Sequence, residues 1–162
     1  PNDADGFSLL AKLRLKQNRL SEAKSLANKA LSLNFNLISA KLILAQASIQ
    51  LGEIESARNV LNSIEEKSIP DNVIRLDIAQ KFALVGDCPN SLKLTETFPL
   101  KIKNSDALPL RANCYLETGD KKNFLALIPS AKLIAKQNPD LTVEFAEVLN
   151  KAGMSKNAVE LL

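Results

Sequence analysis

Apolar residues recur at near-helical intervals along one stretch of the chain: Leu42, Ile43, Leu44, Ala47, Ile49 and Leu51. That spacing predicts an amphipathic helix, with Ser39 as its N-cap. Gly52-Glu53 follows, and Gly52 supplies the left-handed residue that ends such a helix. A second apolar stripe then runs through Ile54, Ala57, Val60, Leu61 and Ile64. Ser68-Ile69-Pro70-Asp71 breaks it and starts another unit. The pattern is therefore two helices around a tight turn.

The same unit recurs in phase. Gly52, Gly86, Gly119 and Gly153 are separated by 86−52 = 34, 119−86 = 33 and 153−119 = 34 residues. One period before Gly52 stands Asn18, the other residue type that tolerates a left-handed backbone. Seven residues before each turn lies an alanine: Ala11, Ala45, Ala79, Ala112 and Ala146. Five residues after each lies Ala23, Ala57, Ser91, Phe124 or Ala158. Small residues at these two phases let paired helices approach to the short end of the roughly 8–10 Å interaxial range. A period of this length predicts a stacked array. Its units run roughly over 4–37, 38–71, 72–104, 105–138 and 139–162 as one repeat domain. Gly86 and Gly119 are expected to have positive φ.

These residues resemble the tetratricopeptide repeat (TPR) family, whose 34-residue helix-turn-helix unit carries small residues mid-helix A and early in helix B, and Gly at the turn. The second unit matches best, through Leu44-Ala45, Leu51-Gly52-Glu53, Ser56-Ala57 and Leu61. The resemblance implies an all-α, right-handed superhelical array of about four and a half repeats. It departs from the family where the early aromatic of helix A becomes Lys41, Arg75, Leu108 and Thr142, leaving only Phe7. Phe124 fills a small-residue position, and Arg111 takes a phase held elsewhere by Leu10, Leu44, Ile78 and Phe145. Pro129 is expected to bend or shorten its helix, and Pro99 to end its helix early.

Composition narrows the function. Hydrophobic residues make up 46% of the 162, but aromatics only 4%, so the core must be largely aliphatic. A net charge of +3 is too small to advertise nucleic acid, and the run Lys12, Arg14, Lys16 and Arg19 reads as a solvated helix face. No histidine is present, which removes Ser-His-Asp and Cys-His catalysis and the commonest metal ligand. There is no Cys-x-x-Cys pair and no Gly-rich phosphate loop. Catalysis, cofactors and metals are not expected. Cys88 and Cys114 are expected to be reduced, small and buried or half-buried, with a single bridge as the alternative. No apolar stretch reaches the roughly 18–20 residues of a membrane span. The chain begins at Pro1 without Met and ends inside an apolar run, so it reads as a piece of a longer protein, its compartment open.

The expected function is a non-catalytic scaffold that binds a peptide or partner protein. The resemblance implies that helix A of each unit lines a concave face. Lys12, Gln46, Gln80 and Asn113 would form one inward row, and Lys16, Gln50, Leu84 and Glu117 a neighbouring one. Leu42, Leu76 and Ile49 would add an apolar strip beside them. Side-chain amides both donate and accept, so they suit the backbone of an extended peptide. Exposed amides that merely keep a helix soluble are the plainer alternative. Family members that clamp the carboxylate tail of a chaperone use Lys, Asn and Arg at set inward phases; here those phases hold Ser8, Leu42, Leu76, Leu9, Ile43 and Asp77, and only Lys12 is cationic, so that clamp is absent. Self-assembly into homo-oligomers, or service as a TPR segment of a larger enzyme or a bacterial envelope export protein, are the competing functions.

Overall fold

The computed structural model describes residues 3–96, 98, 107–135 and 138–162. The chain divides into two compact bodies, Pro1–Asp87 and Cys88–Leu162. Helices account for all regular structure among the described residues.

The first body holds α1 (Ala4–Lys16), α2 (Leu20–Leu33), α3 (Ile38–Gln50), α4 (Ile54–Asn62), a 3-10 turn at Glu66–Ser68, and α5 (Asn72–Leu84). The second holds α6 (Cys88–Thr95), α7 (Ala107–Glu117), α8 (Lys121–Ala135), α9 (Pro139–Lys151) and α10 (Ser155–Leu161).

The turns follow one geometry. Asn18 has φ 57°, and Gly52, Gly86, Gly119 and Gly153 lie between 73° and 77°. In each case the next residue donates its N–H to a carbonyl five residues back, as in Glu53 to Ser48 at 2.8 Å and Asp120 to Tyr115 at 2.8 Å. This is the Schellman closure, which satisfies carbonyls that the helix end leaves open.

The small-residue phases are fully committed to the core. Ala11, Ala45, Ala79, Ala112 and Ala146 are buried, and so are Ala23, Ala57, Ser91, Phe124 and Ala158. In the first body Ala11, Ala23, Ala27 and Ala47 pack with Ile43 and Leu44. In the second, Phe124 joins Phe145, Leu108, Leu127 and Leu149 in an aliphatic-aromatic core. The larger ring at a small-residue phase is thus absorbed as core volume.

Three expectations need correction. Ser39 is not an N-cap: α3 begins at Ile38, two residues earlier than such a cap implies, behind Leu37 and with no side-chain cap. The Ser39 hydroxyl instead pairs with that of Ser8 at 2.9 Å, tying α3 to α1. Of the bend or shortening expected at Pro129, the shortening does not occur: α8 runs through it for 15 residues. The ring removes one backbone donor, but burial of Phe124, Leu127 and Ala131 on the core face holds the helix together. The helix before Pro99 does end early, at Thr95, whose hydroxyl turns back onto the carbonyl of Ser91 at 3.0 Å, while Pro99 itself lies outside the described residues. Finally, Cys88 and Cys114 are not reduced thiols but form a disulfide between α6 and α7. Their Cα atoms are 5.0 Å apart, within the span that a bridge requires. Cys88 heads α6 and Cys114 lies on the face of α7 that packs there, a pairing that separation along the chain could not disclose.

Candidate functional site

α1, α3 and α5 position the site, and the connections between helices shape it. α2 leads to α3 through only 34–37, whereas α4 ends at Asn62 and nine residues, 63–71, intervene before α5. Asp71 then caps α5, accepting the Ile74 N–H at 2.8 Å. The longer connection brings Ser68 and Pro70 beside the helices. The result is a pocket of about 600 Å³ in the first body.

Its floor is apolar, built from Leu15, Leu42 and Ile43 together with Leu37, Pro70 and Ile74. Its polar wall comes from Lys12 of α1, Gln46 of α3, and Asp77 and Lys81 of α5. Asn34 and Asn36 of the α2–α3 connection close one side; the Asn34 side chain accepts the Asn36 N–H at 3.1 Å. Asp77 and Lys81 are one helical turn apart and form an ion pair at 2.5 Å. Lys12 has no ion-pair partner among the described residues, and the Gln46 amide no hydrogen bond there.

Of the residues expected on the concave face, the pocket brings together Lys12, Leu42 and Gln46. Lys16, Gln50, Gln80 and Leu84 are exposed but do not line it, and neither do the half-buried Ile49 and Leu76. α5 lends the pocket its Ile74, Asp77 and Lys81 side rather than the side carrying Leu76 and Gln80. Asn113 and Glu117 belong to α7 in the second body. Asn113 is half-buried, and a Glu117 carboxylate oxygen lies 3.1 Å from Cys88 Sγ. That sulfur has no proton to donate in the disulfide, so the approach is a contact only.

Lys81 and the 34–37 connection are wall residues that phase counting missed, and Asp77, singled out only as a phase lacking a clamp cation, joins them. The i, i+4 spacing of Asp77 and Lys81 was a legible signal for their pairing. Nothing local marked Asn34, Asn36 or Pro70 as lining residues, because the packing of α3 against its neighbours decides their place.

A second electrostatic feature borders this body. Lys41, in the first turns of α3, is buried, and its Nζ donates to the Ser63 carbonyl at 2.8 Å. The same ammonium lies 4.4 Å from the centre of the Phe35 ring. Burial lowers the Lys41 pKa below its ordinary value, and the nearby Glu65 charge opposes that shift. In the second body, Asp120 caps α8 by accepting the backbone N–H of Asn123, and this bond holds its pKa below the usual carboxylate value.

Among the described residues, no three His, Cys, Asp or Glu side chains converge as metal ligands, and no helix is long and apolar enough to cross a membrane.

No protein-family model matches the sequence, and no curated protein matches it. The fold has close counterparts among solved structures. The chain is similar to YrrB, described as a TPR protein with an unusual peptide-binding site, with 14% identity, a TM-score of 0.68, and coverage of 99% of this chain and 83% of that one. It is similar to pilF of Pseudomonas aeruginosa at 14% identity and a TM-score of 0.70, covering 98% of this chain and 72% of that one. The MamA protein matches at 10% identity and a TM-score of 0.70, covering 98% and 87%. At these identities the likeness establishes the fold: the chain has the all-α helical-hairpin architecture of tetratricopeptide repeat proteins.

Proposed function

We propose that the chain is a non-catalytic interaction scaffold that holds an extended segment of a partner protein on the helix-A face of its first body. The observation that carries this reading is the pocket of about 600 Å³, where Lys12, Leu42 and Gln46 of successive A helices meet over an apolar floor. Pockets of this size that pair an apolar lining with a few convergent polar groups are the usual form of a binding site. The unbonded Gln46 amide can pair with a peptide backbone while Leu42 and Ile43 receive a side chain. The fold likeness to YrrB, whose description names a peptide-binding site, is in keeping with this reading.

Site-specific photo-crosslinking tests it. A crosslinker at Gln46 should capture a partner from extracts of the source cells. The same group at Asn28, exposed on α2, should not. Capture at position 28 and none at 46 would move the site to the B-helix face.

Self-association is a second reading, favoured by Leu9, Leu10 and Leu13 of α1, which are all exposed beside Lys12 and Lys16. Sedimentation across a wide concentration range tests it: a constant monomer mass would reject it. The Cys88–Cys114 disulfide supports work in an oxidising compartment, where such bridges persist.

A further inference from the structure

The charges of the pocket restrict its occupant. Three ionisable side chains line it: Lys12, Asp77 and Lys81. The Asp77 carboxylate is engaged by Lys81 at 2.5 Å, so this pair contributes little net field. Of these three, only Lys12 has no ion-pair partner among the described residues, and the lining side chains sum to +1 from +2 and −1. A basic segment would meet Lys12 as a like charge and find the one carboxylate already taken. A purely apolar segment would leave Lys12 to face desolvation without compensation. An acidic side chain removes both difficulties.

The floor sets the second requirement. Leu15, Leu42, Ile43 and Ile74 give an apolar surface large enough to receive a bulky aliphatic or aromatic side chain. Lys12 and Leu15 are three residues apart on α1, so cation and floor are adjacent on one helix face. An occupant satisfying both carries its acidic and apolar side chains close together in sequence.

We infer that the pocket recognises an internal segment of a partner protein in which a large apolar residue is flanked by Asp or Glu, the apolar group entering between α3 and α5 and the carboxylate pairing with Lys12. This inference rests on the groove reading given above and adds to it the chemistry of the partner. The carboxylate is a side chain; a free chain terminus is not required.

The test uses the whole chain and a set of fluorescent octapeptides with acetylated and amidated ends, read by anisotropy. Each peptide carries one Leu or Phe flanked by Asp and Glu, by the isosteric Asn and Gln, or by Lys. The acidic peptides should bind at least tenfold more tightly than their amide isosteres, and the basic ones should not bind. Lys12→Met should abolish the acid-over-amide ratio, and Lys12→Glu should invert the preference toward the basic set. Lys156→Glu, a matching charge change on exposed α10 of the second body, should leave the ratio intact. Circular dichroism confirms that each variant is folded. Equal binding of acidic and amide peptides, or an equal loss of the ratio in Lys156→Glu, overturns the assignment to Lys12 while leaving the groove reading standing. Failure of all peptides to bind also overturns it. Crosslinking at Gln46 then decides separately whether the groove is used at all.

Discussion

The buried ammonium of Lys41 donates to the backbone carbonyl of Ser63 at 2.8 Å, and Ser63 is the C-cap of α4. A side chain from the start of α3 thereby satisfies a carbonyl that the end of α4 leaves open, at the end of the helix dipole that favours a cation. TPR units usually have an aromatic at this phase. Here a lysine stem fills the space, and Phe35 from the preceding connection covers the charge.

The pH dependence of this contact has a definite sign. Burial lowers the folded-state pKa of Lys41 below 10.5, so the folded state binds fewer protons than the unfolded chain between the two values. Stability contributed by Lys41 therefore rises as pH climbs through the folded pKa toward 10.5. Lys41→Met should destabilise the protein by about 1–2 kcal/mol near neutrality, through loss of a charged hydrogen bond. That deficit should widen as the pH rises from neutrality toward 10.5. Urea midpoints of both proteins across that range check the sign, and a deficit that shrinks with pH refutes it.

The Cys88–Cys114 bridge closes a loop with a sequence separation of 26 residues. In the chain-entropy account, a loop of this length stabilises the fold by about 3–4 kcal/mol. Reduction, or the Cys88→Ser/Cys114→Ser pair, should lower the denaturant midpoint accordingly. Both sulfurs are held in the bridge, so the protein unfolded without reductant should take up no alkylating reagent. Labelling of both cysteines without reductant, measured by intact mass, would contradict the bridge.

Gly119 has φ 74°, and a Cβ placed there would meet no atom within 4 Å. Gly119→Ala is thus a test of backbone conformation alone. It should cost about 1 kcal/mol, with unchanged helix content. A neutral substitution would mean that the α7–α8 turn relaxes out of the left-handed region.

Phe124 is 1% exposed and packs among Phe145, Leu127 and Leu149. Phe124→Ala restores the small residue typical of this phase, yet here it should open a cavity and cost about 3–5 kcal/mol. Thermal unfolding measures it. A loss below 1 kcal/mol would show that neighbouring helices close into the space.

The repeat was legible in the sequence because its determinants are local. A left-handed residue every 33 or 34 positions ends a helix by backbone geometry alone, and Gly52, Gly86, Gly119 and Gly153 all adopt the required φ. The alanine phases were legible for a related reason: contact between adjacent helices is fixed by the turn that joins them, and every one of those positions is buried. Local rules failed where a partner came from outside the hairpin. Ser39 suits a helix cap, but Ser8 of another helix claims its hydroxyl. Pro129 suits a helix break, but core burial on its own helix outweighs one missing hydrogen bond. For Cys88 and Cys114 the sequence offered a bridge only as the alternative, because a disulfide depends on two Cα atoms meeting in space. The candidate site divides in the same way. Phase along helix A picked out Lys12, Leu42 and Gln46, while Pro70 and Lys81 join them because a long connection places α5 beside α3, and Asn34 joins from the α2–α3 connection. Sequence determined which faces each helix could offer. Tertiary packing decided which of those faces meet, since a pocket is made of the distances between helices, and no single helix encodes them.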